Sequence, residues 1–346
     1  MVKVGVLGAT GYAGIETVRL LTKHPEVEIT RLVSHSFEGQ KISDIYPNFE
    51  GVLDMECCAL DIDDIAANCE LVFTALPHGV SKDVIPELYA KGLKVIDLSG
   101  DFRYNDVDVY EEWYGEKHPA PELLEKSVYG LCEIHRDEIK KTTLVANPGC
   151  YTTTSIMALY PLLKAGVIKT DNIIIDAKSG VTGAGRTTKL DYSFSECTEN
   201  TLAYKVATHR HTSEIEQELS IAAGDKVMVS FTPHLVPMKR GIYATCYANL
   251  KESISAEEIE KIYNDFYKGE YFVRLVPHGK IPESNWTAGS NFISIGFEID
   301  TRLNRIVVCS TLDNLIKGAA GQAVQNMNII MGYDEKTGLD MPGMYL

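Results

Sequence analysis

Cys150 is the residue in this sequence with the clearest chemical setting. It ends the string Asn147-Pro148-Gly149-Cys150, which follows an apolar run at Thr143–Asn147 and opens the helix-like stretch from Tyr151 to Leu159. A thiol in the first turn of a helix faces unpaired N–H groups and the positive end of the helix dipole, which favour the thiolate. The turn also lies where a parallel strand ends, the place where open α/β sheets gather ligands and chemistry. We therefore read Cys150 as a nucleophile, and the seven other cysteines as small hydrophobic filler. A nucleophile needs a base. His209-Arg210-His211 supplies two imidazoles which, in an extended segment, point to the same side. A metal is the other use of such a pair, but no third ligand stands at recognisable spacing, so no metal is expected. His24, His118 and His135 read as structural or solvated.

A second chemical feature is Gly8-Ala9-Thr10-Gly11-Tyr12-Ala13-Gly14, placed between the first strand-like run and the first helix-like run. Glycines there permit a tight turn and let a pyrophosphate reach backbone N–H groups at a helix N-terminus. The spacing is GxxGxxG, so the turn should differ in detail from the GxGxxG form. The end of the second strand reads Leu32-Val33-Ser34-His35-Ser36, with Arg31 before it and no acid until Glu38. NAD sites place a carboxylate there for the ribose 2′-hydroxyl. Hydroxyls and an imidazole suit a 2′-phosphate better, so NADP is the expected cofactor. Leu76-Pro77-His78-Gly79 and Asp97 to Arg103 both follow strands of the first domain, and the glycine-rich Ser179-Gly180-Val181-Thr182-Gly183-Ala184-Gly185-Arg186 lies downstream in the second. The last is suited to closing over a nicotinamide or a phosphate. Arg103 and Arg186 are candidate anion clamps.

These residues need a scaffold, and the apolar pattern supplies one. Runs at Val4–Leu7, Val27–Ser34, Leu71–Leu76, Lys94–Leu98 and Thr143–Asn147 alternate with helical segments, which predicts a parallel sheet with crossover helices. From about residue 172 the texture changes. Val227–Val236 and Gly241–Leu250, joined by Pro237-Met238-Lys239-Arg240, read as antiparallel neighbours, and Phe292–Ile299 with Arg305–Thr311 as a hairpin. Ser213 to Glu216 and Ser255 to Glu258 read as capping boxes. Asp313 reads as the N-cap of a last helix, in which Gly318 and Gly321 are poor helix formers tolerated where something packs closely. The expected architecture is an α/β chain in three parts. Residues 1–148 form a Rossmann-type NADP-binding domain. Residues 149–312 form an α+β catalytic and dimerisation domain with a mostly antiparallel sheet. Residues 313–346 carry a helix returning to the first domain.

Composition bounds the rest. The 346 residues hold 33 basic and 48 acidic side chains, a balance of −15, which argues against a nucleic-acid backbone or an anionic membrane surface as partner. No stretch approaches the ~18 apolar residues of a membrane span. No charged segment leading into a long apolar run follows Met1, and no CxxC pair occurs, so a cytoplasmic location with free thiols is expected.

Taken together the motifs resemble the N-acetyl-γ-glutamyl-phosphate reductases, in the aspartate-semialdehyde dehydrogenase-like group. The matching stretches run in order through nearly the whole chain: Gly8–Gly14, Leu76–Gly79, Asp97–Arg103, Tyr129–Glu133, Asn147–Thr153, Ser179–Arg186, His209–Glu214 and Asn314–Gly321. The resemblance implies reduction of N-acetyl-γ-glutamyl phosphate by NADPH to N-acetylglutamate 5-semialdehyde, a step of arginine biosynthesis, through a thioester on Cys150. It also implies that the histidine pair does the acid/base work, with His209 as proton donor and acceptor and His211 positioning substrate or assisting. By the same resemblance Glu214 orients the pair or binds substrate, Asn314 reaches the nicotinamide end, and Leu76, Pro77, His78, Gly79, Ser179, Gly180 and Gly183 line the cofactor. A small acyl-phosphate substrate and a homo-oligomer, dimer or tetramer, are implied partners. One departure stands out: the family often has an arginine in the adenosine-ribose loop where this chain has Ser34-His35-Ser36. The alternatives are aspartate-semialdehyde dehydrogenase, a non-catalytic NADP-binding protein, and a Cys–His hydrolase, which would leave the glycine loop unused.

Overall fold

The computed structural model describes residues 1–187 and 189–345. It divides into two compact units, Met1–Pro148 with Ala319–Asp340, and Gly149–Gly318 with the tail from Met341.

The first unit alternates strand and helix: β1 (Val2–Leu7), α1 (Tyr12–Leu21), β2 (Val27–Val33), α2 (Ile62–Asn68), β3 (Leu71–Thr74), α3 (Ser81–Ala90), β4 (Lys94–Asp97), α4 (Val107–Tyr114), β5 (Val128–Tyr129), α5 (Cys132–Ile139) and β6 (Leu144–Ala146). The six strands form one sheet in the order β2-β1-β3-β4-β6-β5, and every pairing is parallel. Every residue of β3 and of β6 is buried, which is why those strands read as unbroken apolar runs. The chain order reverses between β1 and β3. This switch point leaves a crevice at their carboxyl ends, and the glycine loop and Leu76–Gly79 follow those two strands.

The second unit opens with α6 (Cys150–Lys164) and continues through β7 (Ile173–Gly180), β8 (Leu202–Ala203), α7 (His211–Ala223), β9 (Val229–Val236), β10 (Ile242–Asn249), α8 (Ala256–Phe266), β11 (Val273–Leu275), β12 (Ile293–Asp300) and β13 (Arg305–Leu312). Its seven-stranded sheet has the order β11-β12-β13-β10-β7-β9-β8. The β11–β12 and β7–β9 pairings are parallel and the rest antiparallel. Residues 151–163 of α6 are all buried. Tyr263 and Tyr267 fix the helix by donating to the carbonyls of Ala158 and Met157, both at 2.6 Å.

Several local expectations are corrected here. β12 and β13 form the expected hairpin, but β9 and β10 are not neighbours, because β7 lies between them. Their connection instead crosses the end of β7, where Val181 and Thr182 donate to the carbonyls of Met238 and Lys239. A Cβ at Gly180 would stand 2.5 Å from the Lys239 carbonyl oxygen, so glycine is required for the crossing. The Ser255 capping box is present, whereas α7 starts two residues before Ser213. There the Ser213 hydroxyl donates to the Arg210 carbonyl and Glu216 accepts from the Val229 N–H, so neither caps the helix.

After β13, Asp313 accepts from the N–H groups of Leu315 and Ile316 and opens a π-helical turn, Ile316–Ala320, that runs into α9 (Gly321–Met331). The return to the first unit begins at Ala319, not at residue 313. Asp313 and Asn314 accept from Gly289 and Gly241, and Met344 donates to Ala288, which keeps 313–318 and the tail in the second unit. Within the first unit α9 is held by polar bonds: Asn326 donates to the Gly130 carbonyl, and Asn328 pairs with His24 at 2.8 Å.

Candidate active site

Cys150 is the first residue of α6, after Gly149 in extended conformation, and no side chain of the capping residue closes the helix end. Three side chains tie this end down. Glu214, 1% exposed on α7, accepts the Gly149 N–H at 2.9 Å and lies 2.8 Å from the Thr152 hydroxyl, through the same oxygen. That hydroxyl and the Thr153 hydroxyl also reach the Gly149 carbonyl, at 2.6 and 3.0 Å. The carboxylate expected to touch substrate is thus buried against the turn that carries Cys150. It fixes the backbone on which Cys150 stands.

Gly318 completes the setting. A Cβ there would lie 2.7 Å from the Cys150 Cβ and 3.1 Å from its Cα, so the π-helical turn presses directly on Cys150. The expectation that something packs closely at Gly318 is met by Cys150 itself. π-Helical turns recur at functional sites because they place a residue off the regular helical register.

The two histidines are brought together by a turn, not by strand alternation. Arg210 is helical and Thr212 donates to the His209 carbonyl. The rings of His209 and His211 stand 4.6 Å apart. His209 Nδ1 accepts the His211 N–H at 3.1 Å, so its own ring proton belongs on Nε2. Tyr151, Tyr204 and Phe231 surround that ring, with centroids at 6.0, 5.5 and 5.5 Å. Burial in this apolar box, with the charges of Lys205 and Arg210 adding to it, pulls the His209 pKa down to about 4.

The glycine-rich loop after β7 is organised around Asn314. Its side-chain oxygen accepts the Gly241 N–H at 2.8 Å and its amide donates to the Thr182 hydroxyl at 3.0 Å. A Cβ at Gly183 would lie 2.9 Å from the Ser179 hydroxyl. Asn314 therefore braces this loop with both ends of its amide, a role the sequence reading did not give it. Arg186, at the end of the loop, is exposed.

In the first unit, Gly8 has φ +79°, and a Cβ on Gly8 or Gly14 would run into the carbonyl oxygen of Ala75 or of Gly8. Gly11, at the head of α1, has open space instead: the nearest atom to its Cβ would be 3.5 Å away. Two glycines thus fix the turn, and the third leaves the helix N-terminus accessible, which suits a pyrophosphate. The N–H groups of Gly8 and Ala9 donate to the Val33 carbonyl, which holds the loop beside the end of β2. Ser34 is buried and its hydroxyl pairs with Thr10 at 2.8 Å, so it braces the loop, while His35 and Ser36 are exposed beside it. Arg31 is committed to Asp64 through two bonds, of 2.6 and 2.8 Å.

The loops after β3 and β4 lock together. Asp101 accepts from the N–H groups of Gly79 and Lys82, and His78 Nδ1 accepts from Gly100. Burial, with Asp97 nearby, pushes the Asp101 carboxyl up to about 6. Arg103 is buried and donates to the carbonyls of Asn147 and Leu98. Its first task is therefore to hold the strand ends, and the sequence reading saw only its charge.

Residues 3–142 match the model for the semialdehyde dehydrogenase NAD-binding domain, and residues 150–314 match the model for its dimerisation domain. An N-acetyl-γ-glutamyl-phosphate reductase of Acetivibrio thermocellus is 59% identical over 346 residues, all of both chains. The chain belongs to the N-acetyl-γ-glutamyl-phosphate reductase family. A reductase of the same name from Halothermothrix orenii is 50% identical over the full length of both chains. Among solved structures, aspartate semialdehyde dehydrogenase II of Vibrio cholerae shares the fold, with a TM-score of 0.73 at 19% identity over 96% of this chain and 98% of that one. The Candida albicans enzyme, solved with NADP, gives 0.68 at 18% over the same shares. As a member of this reductase family the chain carries the glycine loop in its first unit. Cys150, His209, His211, Glu214, Ser179, Gly183 and Asn314 lie together in its second. Tyr204 was missed because nothing in its local sequence marks it; only its place against His209 does.

Proposed function

We propose that this chain reduces N-acetyl-γ-glutamyl phosphate to N-acetylglutamate 5-semialdehyde with NADPH, releasing phosphate, as a step of arginine biosynthesis. The observation that carries this reading is the Cys150 turn, braced by Glu214 and Gly318 beside the two histidines, in a chain 59% identical to a reductase of that name.

The chemistry starts at sulfur. The Cys150 thiolate forms a C–S bond at the acyl carbon, the C–O bond to phosphate breaks, and the departing phosphate takes up a proton. Gly11 and the first turn of α1, bounded by Gly8 and Gly14, would hold the pyrophosphate of NADP, with Ser36 and His35 at its ribose end. When bound, the dinucleotide supplies the hydride that turns the thioester into a thiohemiacetal, whose collapse releases aldehyde and thiolate. Backbone N–H groups at the head of α6 are placed to stabilise the oxyanion.

The histidines divide the work differently from the family-based expectation. With Nδ1 taken by the His211 N–H and its charged form suppressed, His209 stays a neutral Nε2–H donor. His211 is left to carry the thiol proton to the departing phosphate. Arg186 is the exposed guanidinium for the substrate's anionic groups.

Residues 150–314 carry a dimerisation domain, and we take a second copy of the chain as its partner. The apolar side chains of Leu190 and Phe194, 75% and 83% exposed, are the contacts we assign to it. Among the described residues no cysteine is in a disulfide, and five of the eight are buried, which suits a cytoplasmic, reducing location. The test is phosphate-dependent reduction of NADP, against NAD, by N-acetylglutamate semialdehyde, with aspartate semialdehyde as the competing substrate. Absence of turnover, or its survival in Cys150→Ser, refutes the reading.

A further inference from the structure

A cysteine acylated beside a histidine is also the constellation of a thiol hydrolase, in which the histidine activates water against the thioester. A reductase working through the same intermediate must keep water away until the hydride arrives. The second unit holds a side chain in position to do so. Tyr204 follows β8, where its N–H donates to the Pro233 carbonyl. Its ring meets the His209 ring edge-on at 5.5 Å, on a histidine already flanked by Tyr151 and Phe231. The Tyr151 ring, next in sequence to Cys150, meets the same His209 ring edge-on at 6.0 Å. The Tyr151 hydroxyl donates to the His234 carbonyl at 2.7 Å, which fixes that ring beside the histidine.

The backbone that delivers Tyr204 is strained. Lys205 and Ala207 have φ of 46° and 58°, the left-handed region that is unfavourable for a non-glycine residue. Neither is the glycine or asparagine that such a position favours. The turn is closed by a bond from Thr208 to the Lys205 carbonyl and leads straight into His209. Strain of this kind persists where surrounding contacts over-determine the conformation, and here those contacts are the Tyr204 ring on His209 and the Tyr204 N–H on Pro233.

We propose that Tyr204 is the positioning residue that makes this site a reductase and not a hydrolase, its ring walling the Cys150–histidine cluster against water. The proposal rests on the acyl-enzyme reading of Cys150. Without the ring, water reaches the cluster, His211 takes its proton, and the thioester adds the hydroxide. Its C–S bond then breaks to give the carboxylic acid and free thiol.

The experiment counts phosphate released and NADPH oxidised separately on N-acetyl-γ-glutamyl phosphate, for wild type, Tyr204→Phe, Tyr204→Ala and Tyr204→Val. Wild type and Tyr204→Phe should release about one phosphate per NADPH, and the two truncations several. Without NADPH, the truncations should release phosphate through many turnovers and form N-acetylglutamate, while wild type stops after about one per site. Adding Cys150→Ser should abolish that release. A ratio of one in both truncations, an equal rise in Tyr204→Phe, or excess phosphate that survives Cys150→Ser overturns the proposal. A wild-type protein that oxidises no NADPH with this substrate overturns both the proposal and the acyl-enzyme reading beneath it, and is distinguished by that blank.

Discussion

Replacing Gly318 by alanine adds one methyl group at the tightest point of the site. Its carbon would sit 2.7 Å from the Cys150 Cβ and 3.1 Å from the Cα, with a Leu312 methyl at 3.2 Å. Carbon pairs settle at about 3.5–4.0 Å, so the overlap is roughly 1 Å. Neither Cys150 atom can rotate away, since both are fixed by the backbone of α6. Forced overpacking of this kind costs ~1–3 kcal/mol. Alanine returns up to ~1 kcal/mol over glycine in a helical stretch. The net loss, ~0–2 kcal/mol, should lower Tm by no more than several degrees at about 2–4 °C per kcal/mol. Catalysis is far more sensitive, because a misplacement of about 1 Å costs on the order of 100-fold. The expected signature of Gly318→Ala is therefore a kcat down about 100-fold with Tm nearly held. Dinucleotide affinity, which belongs to the glycine loop, should be unchanged. Steady-state kinetics, thermal melts and the rate of Cys150 alkylation read the three quantities. A kcat within threefold or so of wild type would show that the π-helical turn does not set the nucleophile's position, and would refute the reasoning.

Glu214→Ala strands the buried Gly149 N–H, at a cost of ~1–3 kcal/mol, and should lower kcat, whereas Glu214→Gln keeps an acceptor and should recover much of it; melts and kinetics of the pair test this. His209 should remain a neutral Nε2–H tautomer at pH 6 by nitrogen NMR, since its folded pKa of about 4 lies below its ordinary 6.5. The sign follows: His209 favours folding above pH 6.5 and loses that contribution as pH falls from 6.5 through 4, by on the order of 3 kcal/mol at most. Gly14→Ala, which drives a methyl into the Gly8 carbonyl, should abolish NADP binding measured by fluorescence while leaving Cys150 alkylation intact. Phe194→Asp with Leu190→Asp should shift the sedimentation of the protein towards the single chain; unchanged sedimentation removes those residues from the interface.

Much of the molecule was legible from short stretches of chain. A thiol after Pro-Gly at a helix start, glycines between a strand and a helix, and apolar runs alternating with helical ones are local signals. They pointed to the proposed nucleophile and dinucleotide loop and to the parallel sheet that the structure has, because backbone geometry and helix-end electrostatics act over a few residues. What acts across the chain was not legible. Glu214 meets Gly149 65 residues away, and Gly318 meets Cys150 from the far end of the unit. Spacing carries no record of either contact. The histidine pair was found for the wrong geometric reason: alternation predicts a strand, and the hydrogen bond from Thr212 to His209 makes a turn. β9 and β10 read as neighbours because a short link joins them, yet β7 fills the gap, and only the packed sheet reveals that Gly180 exists to let the link cross. Asn314 and Arg103 show the same limit, since a polar side chain's type does not say whether a ligand or a backbone carbonyl takes its hydrogen bond. The sequence alone thus determined which groups can react; only tertiary packing decided which groups hold them in place, because burial and contact at a distance exist only once the chain has folded.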